Sequence, residues 1–165
     1  MNFEHFQFLL EHALQQGEDG ALPVKYKDIP VKQLHPLVLA YIGDAYFTLF
    51  VRTRLLAYEQ SKVRVLHTYD ATIVSASMQA VAYRQLAETL TPEELAVVRR
   101  GRNAKSTVPK SATVSEYRYS TGFEALLGYL FLGGQQQRLS ELAEQAFVAI
   151  SREMTKKDKN SGEQQ

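Results

Sequence analysis

The chain has no cysteine. That excludes disulfides and thiolate metal sites, and it fits a reducing compartment, so a cytoplasmic location is expected. Met1-Asn2-Phe3-Glu4 lacks the basic start and small-residue cleavage site of a secretory leader. The longest apolar run, residues 37–51, is too short to cross a bilayer and carries Asp44 and Thr48, so no membrane partner is expected. Charge of one sign is also lacking: the net charge is +1, and any nucleic-acid binding has to rest on a local basic patch. The histidines, at 5, 12, 35 and 67, show no ligand spacing. There is no Walker loop, no glycine-rich dinucleotide turn and no Gly-x-Ser-x-Gly elbow. Strand alternation and internal repeats are missing too. What remains is a chain of 165 residues, 45% apolar and 22% charged, long enough to bury a real core. Its pattern is all-α.

The run Leu37-Val-Leu-Ala-Tyr-Ile-Gly-Asp-Ala-Tyr-Phe-Thr-Leu-Phe-Val51 dominates that pattern. It is apolar on nearly every side, which predicts a buried helix. Between His35 and Arg52 its only ionisable carboxylate is Asp44, directly after Gly43. Burying a lone carboxylate costs several kcal/mol. Asp44 must therefore be protonated, paired with Arg52 or Arg54, bonded to a backbone amide, or coordinating a cation.

Along the chain, Phe3, Phe6, Leu9, Leu10, Ala13 and Leu14 predict an amphipathic amino-terminal helix stopped at Gly17. Residues 17–33, with Pro23 and Pro30, read as a connection. Pro36 opens the central helix, which should reach about Tyr58. A short helix follows over Ser61–Asp70, and another starts at Ser75 or Ser77. Thr91-Pro-Glu-Glu94 spells a capping box for a helix ending in Arg99-Arg-Gly-Arg-Asn103. Residues 104–115 read as a mobile loop containing Pro109. Ser115 or Ser120 opens a second apolar helix through Phe123–Leu132, ended by Gly133-Gly134. A last amphipathic helix covers about 136–153, and the polar residues 155–165 predict a disordered tail. About seven helices are expected in residues 34–154, with an additional amino-terminal helix in 1–33.

Glu124 stands in a setting like that of Asp44, with Gly128 one turn on. Thr121, Glu124, Ala125 and Gly128 share one helical face, and Ala40, Tyr41, Asp44 and Thr48 share another. If the helices cross there, two carboxylates meet in a dry space that demands a shared proton or a cation. Oxygen-only ligands favour Mg²⁺ or Mn²⁺. The plain alternative is that Thr121-Gly-Phe-Glu124 is itself a capping box.

Arg99, Arg100, Arg102, Asn103, Lys105 and Lys110 gather donors between a helix end and the loop, with no acid from Arg99 to Ser115. Part of this is ordinary complementarity to a helix carboxyl end. It also suits phosphate oxygens, with Tyr117, Arg118 and Tyr119 close behind.

Four motifs in order resemble one family. Ala40-Tyr-Ile-Gly-Asp-Ala45 is similar to the signature of the ribonuclease III catalytic domain, and Phe123-Glu-Ala-Leu-Leu-Gly128 to its second acidic motif. Arg99-Arg-Gly-Arg-Asn-Ala-Lys-Ser106 and Tyr117-Arg-Tyr-Ser-Thr121 resemble the small branch, Mini-ribonuclease III, which has no double-stranded-RNA-binding domain. The resemblance covers roughly residues 34–150. It implies an all-α homodimeric endoribonuclease that cuts double-stranded RNA with Mg²⁺ (Mn²⁺ can substitute) and leaves 5′-phosphates. It also implies that Asp44 is the catalytic aspartate and Glu124 the metal-binding glutamate, and that the substrate is the 23S ribosomal RNA precursor. The larger enzymes carry further acids where this chain has Leu37, Ala40 and Thr121, which leaves the ion count open. Those missing acids motivate a competing reading, a non-catalytic RNA-binding or ribosome-associated protein. A third is a helical interaction module in which both acids are structural.

Overall fold

A computed structural model describes residues 3–16, 20, 29–105, 107–108 and 112–162, with side chains to 156. The chain divides into two compact units, Met1–Pro30 and Val31–Gln165. In the first, helix α1 spans Phe3–Ala13, and none of its residues is buried. The predicted stop at Gly17 and the turn residue Pro23 lie outside the described residues.

The second unit contains α2 (Pro36–Leu55), α3 (Val63–Ile73), α4 (Ala76–Leu86), α5 (Pro92–Asn103), α6 (Val114–Leu132) and α7 (Gln136–Gly162). Among the described residues there is no strand, and no helix is long and apolar enough to cross a membrane. The caps follow from the sequence. His35 Nδ1 accepts from the Leu37 amide ahead of Pro36. Ser75 caps α4. Thr91 and Glu94 close the expected capping box on α5. The α6 cap differs from expectation. Thr113 and Glu116 form a second capping box, so α6 starts ahead of both Ser115 and Ser120. At its far end Gly134, with φ of 69°, turns the chain where side chains are disfavoured. Helix α7 continues through Gly162, past the point where a disordered tail is predicted, while 163–165 lie outside the described residues.

The axis of this unit is α6 rather than α2. It packs against α2, α4, α5 and α7. Neighbours on several sides explain why its apolar residues from Phe123 to Leu130 are almost all buried. On α2 only Leu39, Ala40, Gly43, Phe47 and Val51 are buried. The expectation of an all-round buried α2 fails, because Val38, Tyr41, Ala45 and Leu49 form a bare stripe at helical spacing. Phe47 and Phe123 meet edge to face, with centroids 5.4 Å apart, and close the core between α2 and α6. Two arginines tie the periphery together. Arg138 on α7 donates to both oxygens of buried Glu94 at 2.8 and 3.0 Å, and to the Thr89 carbonyl. Arg52 donates to Asp70 at 2.7 Å.

Candidate active site

The site exists because two glycines let α2 and α6 touch backbone to backbone. A β-carbon built on Gly43 would lie 1.8 Å from the Glu124 carbonyl oxygen, and one on Gly128 would lie 1.9 Å from that of Leu39. No side chain fits in either place. Asp44 follows Gly43 directly, and Glu124 is the residue Gly43 lies against. The helices thus deliver both carboxylates to one place.

Their environments differ. Glu124 is partly buried on the surface of α6, and its carboxyl is pushed up to about 7. Burial is the larger cause and the charge of Asp44 the next, while the hydrogen bond from Ser120, with Gln79 behind it, eases the charged form. Ser120 Oγ lies 3.0 Å from Glu124 Oε1 and 3.0 Å from Gln79 Oε1. Asp44 departs from the expectation of a buried acid. By surface area it is exposed, although partial desolvation still raises its carboxyl above the usual range. None of the pairings expected for it forms among the described residues. Arg52 is engaged with Asp70, Arg54 pairs with Glu144, and Asp44 has no hydrogen bond or ion pair among the described residues. The capping alternative for Glu124 closes as well. Thr121 sits inside α6, where its hydroxyl donates to the Tyr117 carbonyl at 2.9 Å.

Two carboxylates, both raised by burial and Glu124 further by the charge of Asp44, form a donor set that a divalent cation relieves. Among the described residues no group of three or more Asp, Glu, His or Cys side chains gathers around a metal position. The pair fits Mg²⁺, which takes one or two carboxylates and completes its shell with water and substrate phosphate.

The helix that carries the basic cluster packs on another face of α6 through a second glycine crossing. A β-carbon on Gly101 of α5 would lie 2.8 Å from Gly122 Cα and 2.9 Å from the Thr121 carbonyl oxygen of α6. That crossing lies within about one turn of Glu124 along the axis of α6, on a different side of the helix. Arg102 lies over the Tyr119 ring, 4.2 Å from its centroid, and its Nε is buried without a hydrogen-bond partner. Arg99, Asn103 and Lys105 are exposed. Asn103, Lys105, Tyr117 and Arg118 line a hollow of about 180 Å³ at the base of the loop, with no acid in its wall. Arg100 points elsewhere. Its guanidinium donates to the carbonyls of Lys32 at 2.9 Å and Leu34 at 2.7 Å, holding that segment against α5. Lys110, Ser106 and Pro109 lie outside the described residues.

Sequence reasoning left Gln79 and Arg118 out of the site. Arg118 stands two residues after Glu116 in the motif that carries Tyr117 and Tyr119, so its position was visible. Gln79 had no signal, because its importance comes from contact with α6.

Comparison with known proteins follows the same outline. The ribonuclease III domain model matches residues 37–135. A Mini-ribonuclease 3 from Thermoanaerobacter sp. (strain X514) is 48% identical over 121 residues, covering 73% of this chain and 85% of that protein. One from Symbiobacterium thermophilum is 51% identical over 120 residues, covering 72% and 92%. A crystal structure of a Fusobacterium nucleatum protein superposes with a TM-score of 0.66 at 28% identity, covering 74% of this chain and 97% of that one.

Proposed function

The chain belongs to the ribonuclease III family and is an endoribonuclease, and on that premise we propose that Asp44 and Glu124 are its catalytic pair, acting on double-stranded RNA with Mg²⁺. The observation that supports this reading is the Gly43–Gly128 crossing, beside which the charge of Asp44 and burial both raise Glu124 and so favour a cation there. Mn²⁺ carries the same preference for oxygen ligands and can substitute. A bound ion supplies a more acidic water and charge stabilisation at the phosphoryl oxygens. The protein's part is placement. Glu124 holds its carboxylate from the dry side, fixed by Ser120. Asp44 holds the wet side, open to an incoming backbone.

Arg99, Arg102, Asn103 and Lys105, with Arg118, form the grip on phosphates. Double-stranded RNA is read largely by shape and backbone, so a cationic edge on the helix packed beside α6 serves it. Lys110 belongs to the same proposed grip by its place in the sequence. Arg100 is left out of it, because its donors are already satisfied by the chain's own carbonyls.

A lone catalytic domain gains affinity by dimerising, which doubles its phosphate contacts. The bare stripe of α2, with Val38 46%, Tyr41 76% and Leu49 63% exposed, is the surface proposed for a second copy. The proposed natural substrate is the large-subunit (23S) ribosomal RNA precursor, processed in the cytoplasm. Support for that substrate is the similarity to the small branch of the family.

The test is cleavage of a double-stranded RNA in Mg²⁺ by wild type, Asp44→Asn and Glu124→Gln. Cutting by wild type alone is expected, with 5′-phosphate ends. Equal cutting by all three removes both acids from the chemistry. A folded wild type that binds RNA without cutting it supports the competing reading of a non-catalytic binder.

A further inference from the structure

Behind Glu124 lies a hydrogen-bonded relay that the acid pair alone does not explain. Gln79 of α4 is 1% exposed and Ser120 of α6 is 4% exposed, and neither touches solvent in any useful way. The Gln79 amide nitrogen donates to the Val74 carbonyl at 2.9 Å. A carbonyl only accepts, so the amide orientation is fixed and Gln79 Oε1 must face Ser120 as an acceptor. The Ser120 hydroxyl then meets two acceptors, Gln79 Oε1 and Glu124 Oε1, each at 3.0 Å. It has one proton to give.

We propose that Gln79 and Ser120 are positioning residues of the active site: the Val74 carbonyl, the Gln79 amide and the Ser120 hydroxyl form a relay that aims the Glu124 carboxylate at the cation it shares with Asp44. This inference rests on the assignment of Glu124 as a metal ligand. An anchored relay is needed there because Glu124 has no arginine, lysine or backbone amide bonded to it among the described residues. Val74 ends α3 and Ser75 caps α4, so the relay ties carboxylate orientation to the corner between those helices. Gln79 acts through Ser120. Ser120 is the residue in contact with the carboxylate. With Gln79 Oε1 fixed as an acceptor, the Ser120 oxygen is held between it and Glu124 Oε1, and that contact sets where the carboxylate sits.

Binding of Mn²⁺ alone, followed by titration calorimetry on the full chain, tests the relay. Ser120→Ala removes one hydroxyl from a snug position and is expected to raise the Mn²⁺ dissociation constant about five- to tenfold. Gln79→Met keeps the volume and removes the hydrogen bonds, and it is expected to raise the constant in the same direction. In the Ser120→Ala background, Gln79→Met should add nothing, because its path to Glu124 is already cut. RNA affinity in metal-free buffer should be unchanged in all three variants, and excess Mn²⁺ should restore cleavage without restoring thermal stability. If both single variants lower the melting temperature and leave the Mn²⁺ constant where it was, the relay is ordinary core packing and the inference is overturned. Additive effects on the constant in the double variant overturn it as well. Glu124→Gln is the control for the premise. If it binds Mn²⁺ like wild type, the assignment of Glu124 as a ligand fails, and that failure is distinct from failure of the relay.

Discussion

Gly43→Ala is the sharpest test of the helix crossing on which the site depends. In an ordinary helix this change stabilises by about 1 kcal/mol, because alanine is the better helix former. Here the new β-carbon would meet the Glu124 carbonyl oxygen at 1.8 Å, where ordinary contact begins near 3.4 Å. The atom it meets is backbone, so no side chain can swing aside, and α2 and α6 must part by about 1.6 Å. Overpacking of this kind costs about 1–3 kcal/mol and occasionally more. The rigid partner places this case at the upper end, and separation also loosens the Phe47–Phe123 contact. After the gain in helix propensity, a net loss of about 2 kcal/mol is expected, or roughly 4–8 °C in melting temperature. Activity should fall much further. Misplacing a reacting group by about 1 Å costs on the order of a hundredfold in rate. Denaturant unfolding with calorimetry gives the first quantity, and single-turnover cleavage the second. A Gly43→Ala protein that melts within a degree of wild type and cuts within fivefold of it would refute the backbone contact.

Other outcomes follow from the same geometry. Burial and Asp44 raise Glu124 from 4.5 to about 7, so the metal-free fold holds a proton that the unfolded chain has released. That stabilisation is present below pH 4.5 and is lost as pH rises through about 7. It is worth up to about 3 kcal/mol, read as a melting temperature that falls over this interval and recovers with Mg²⁺. Asp44→Asn removes the second cause of that shift, so the decline should become smaller and finish at lower pH while cleavage is abolished. Arg99→Ala with Arg102→Ala should weaken RNA binding across sequences and reduce the log–log salt slope by about 2. Arg100→Ala should leave the slope alone and lower the melting temperature, because it frees the Lys32 and Leu34 carbonyls.

Much of this was legible in the sequence, and particular residues show why the rest was not. The capping box at Thr91 is local and was read directly, and the sequence narrowed the start of α4 to Ser75 or Ser77, of which Ser75 is the cap. The convergence of Asp44 and Glu124 rested on glycines one residue before and four residues after, which mark close approach wherever helices meet. The exposure of Asp44 was not readable, because an apolar run looks the same whether its own chain or a second copy covers it. Thr121-x-x-Glu124 and Thr113-x-x-Glu116 spell the same cap, and only the packing of α6 decides between them. Arg100 was grouped with its neighbours because its carbonyl partners lie 66 and 68 residues away. Gln79 read as one more polar residue on a helix.

The Arg100 tether has a practical corollary for anyone trimming the gene. Val31 and Leu34 lean on the nuclease core, and the carbonyls of Lys32 and Leu34 are clasped from α5. A shortened protein should therefore begin at Val31, keeping that strap in place. Cutting instead at His35 would strip Val31 and Leu34 from the core and bare greasy surface, inviting precipitation at the concentrations that crystallisation needs.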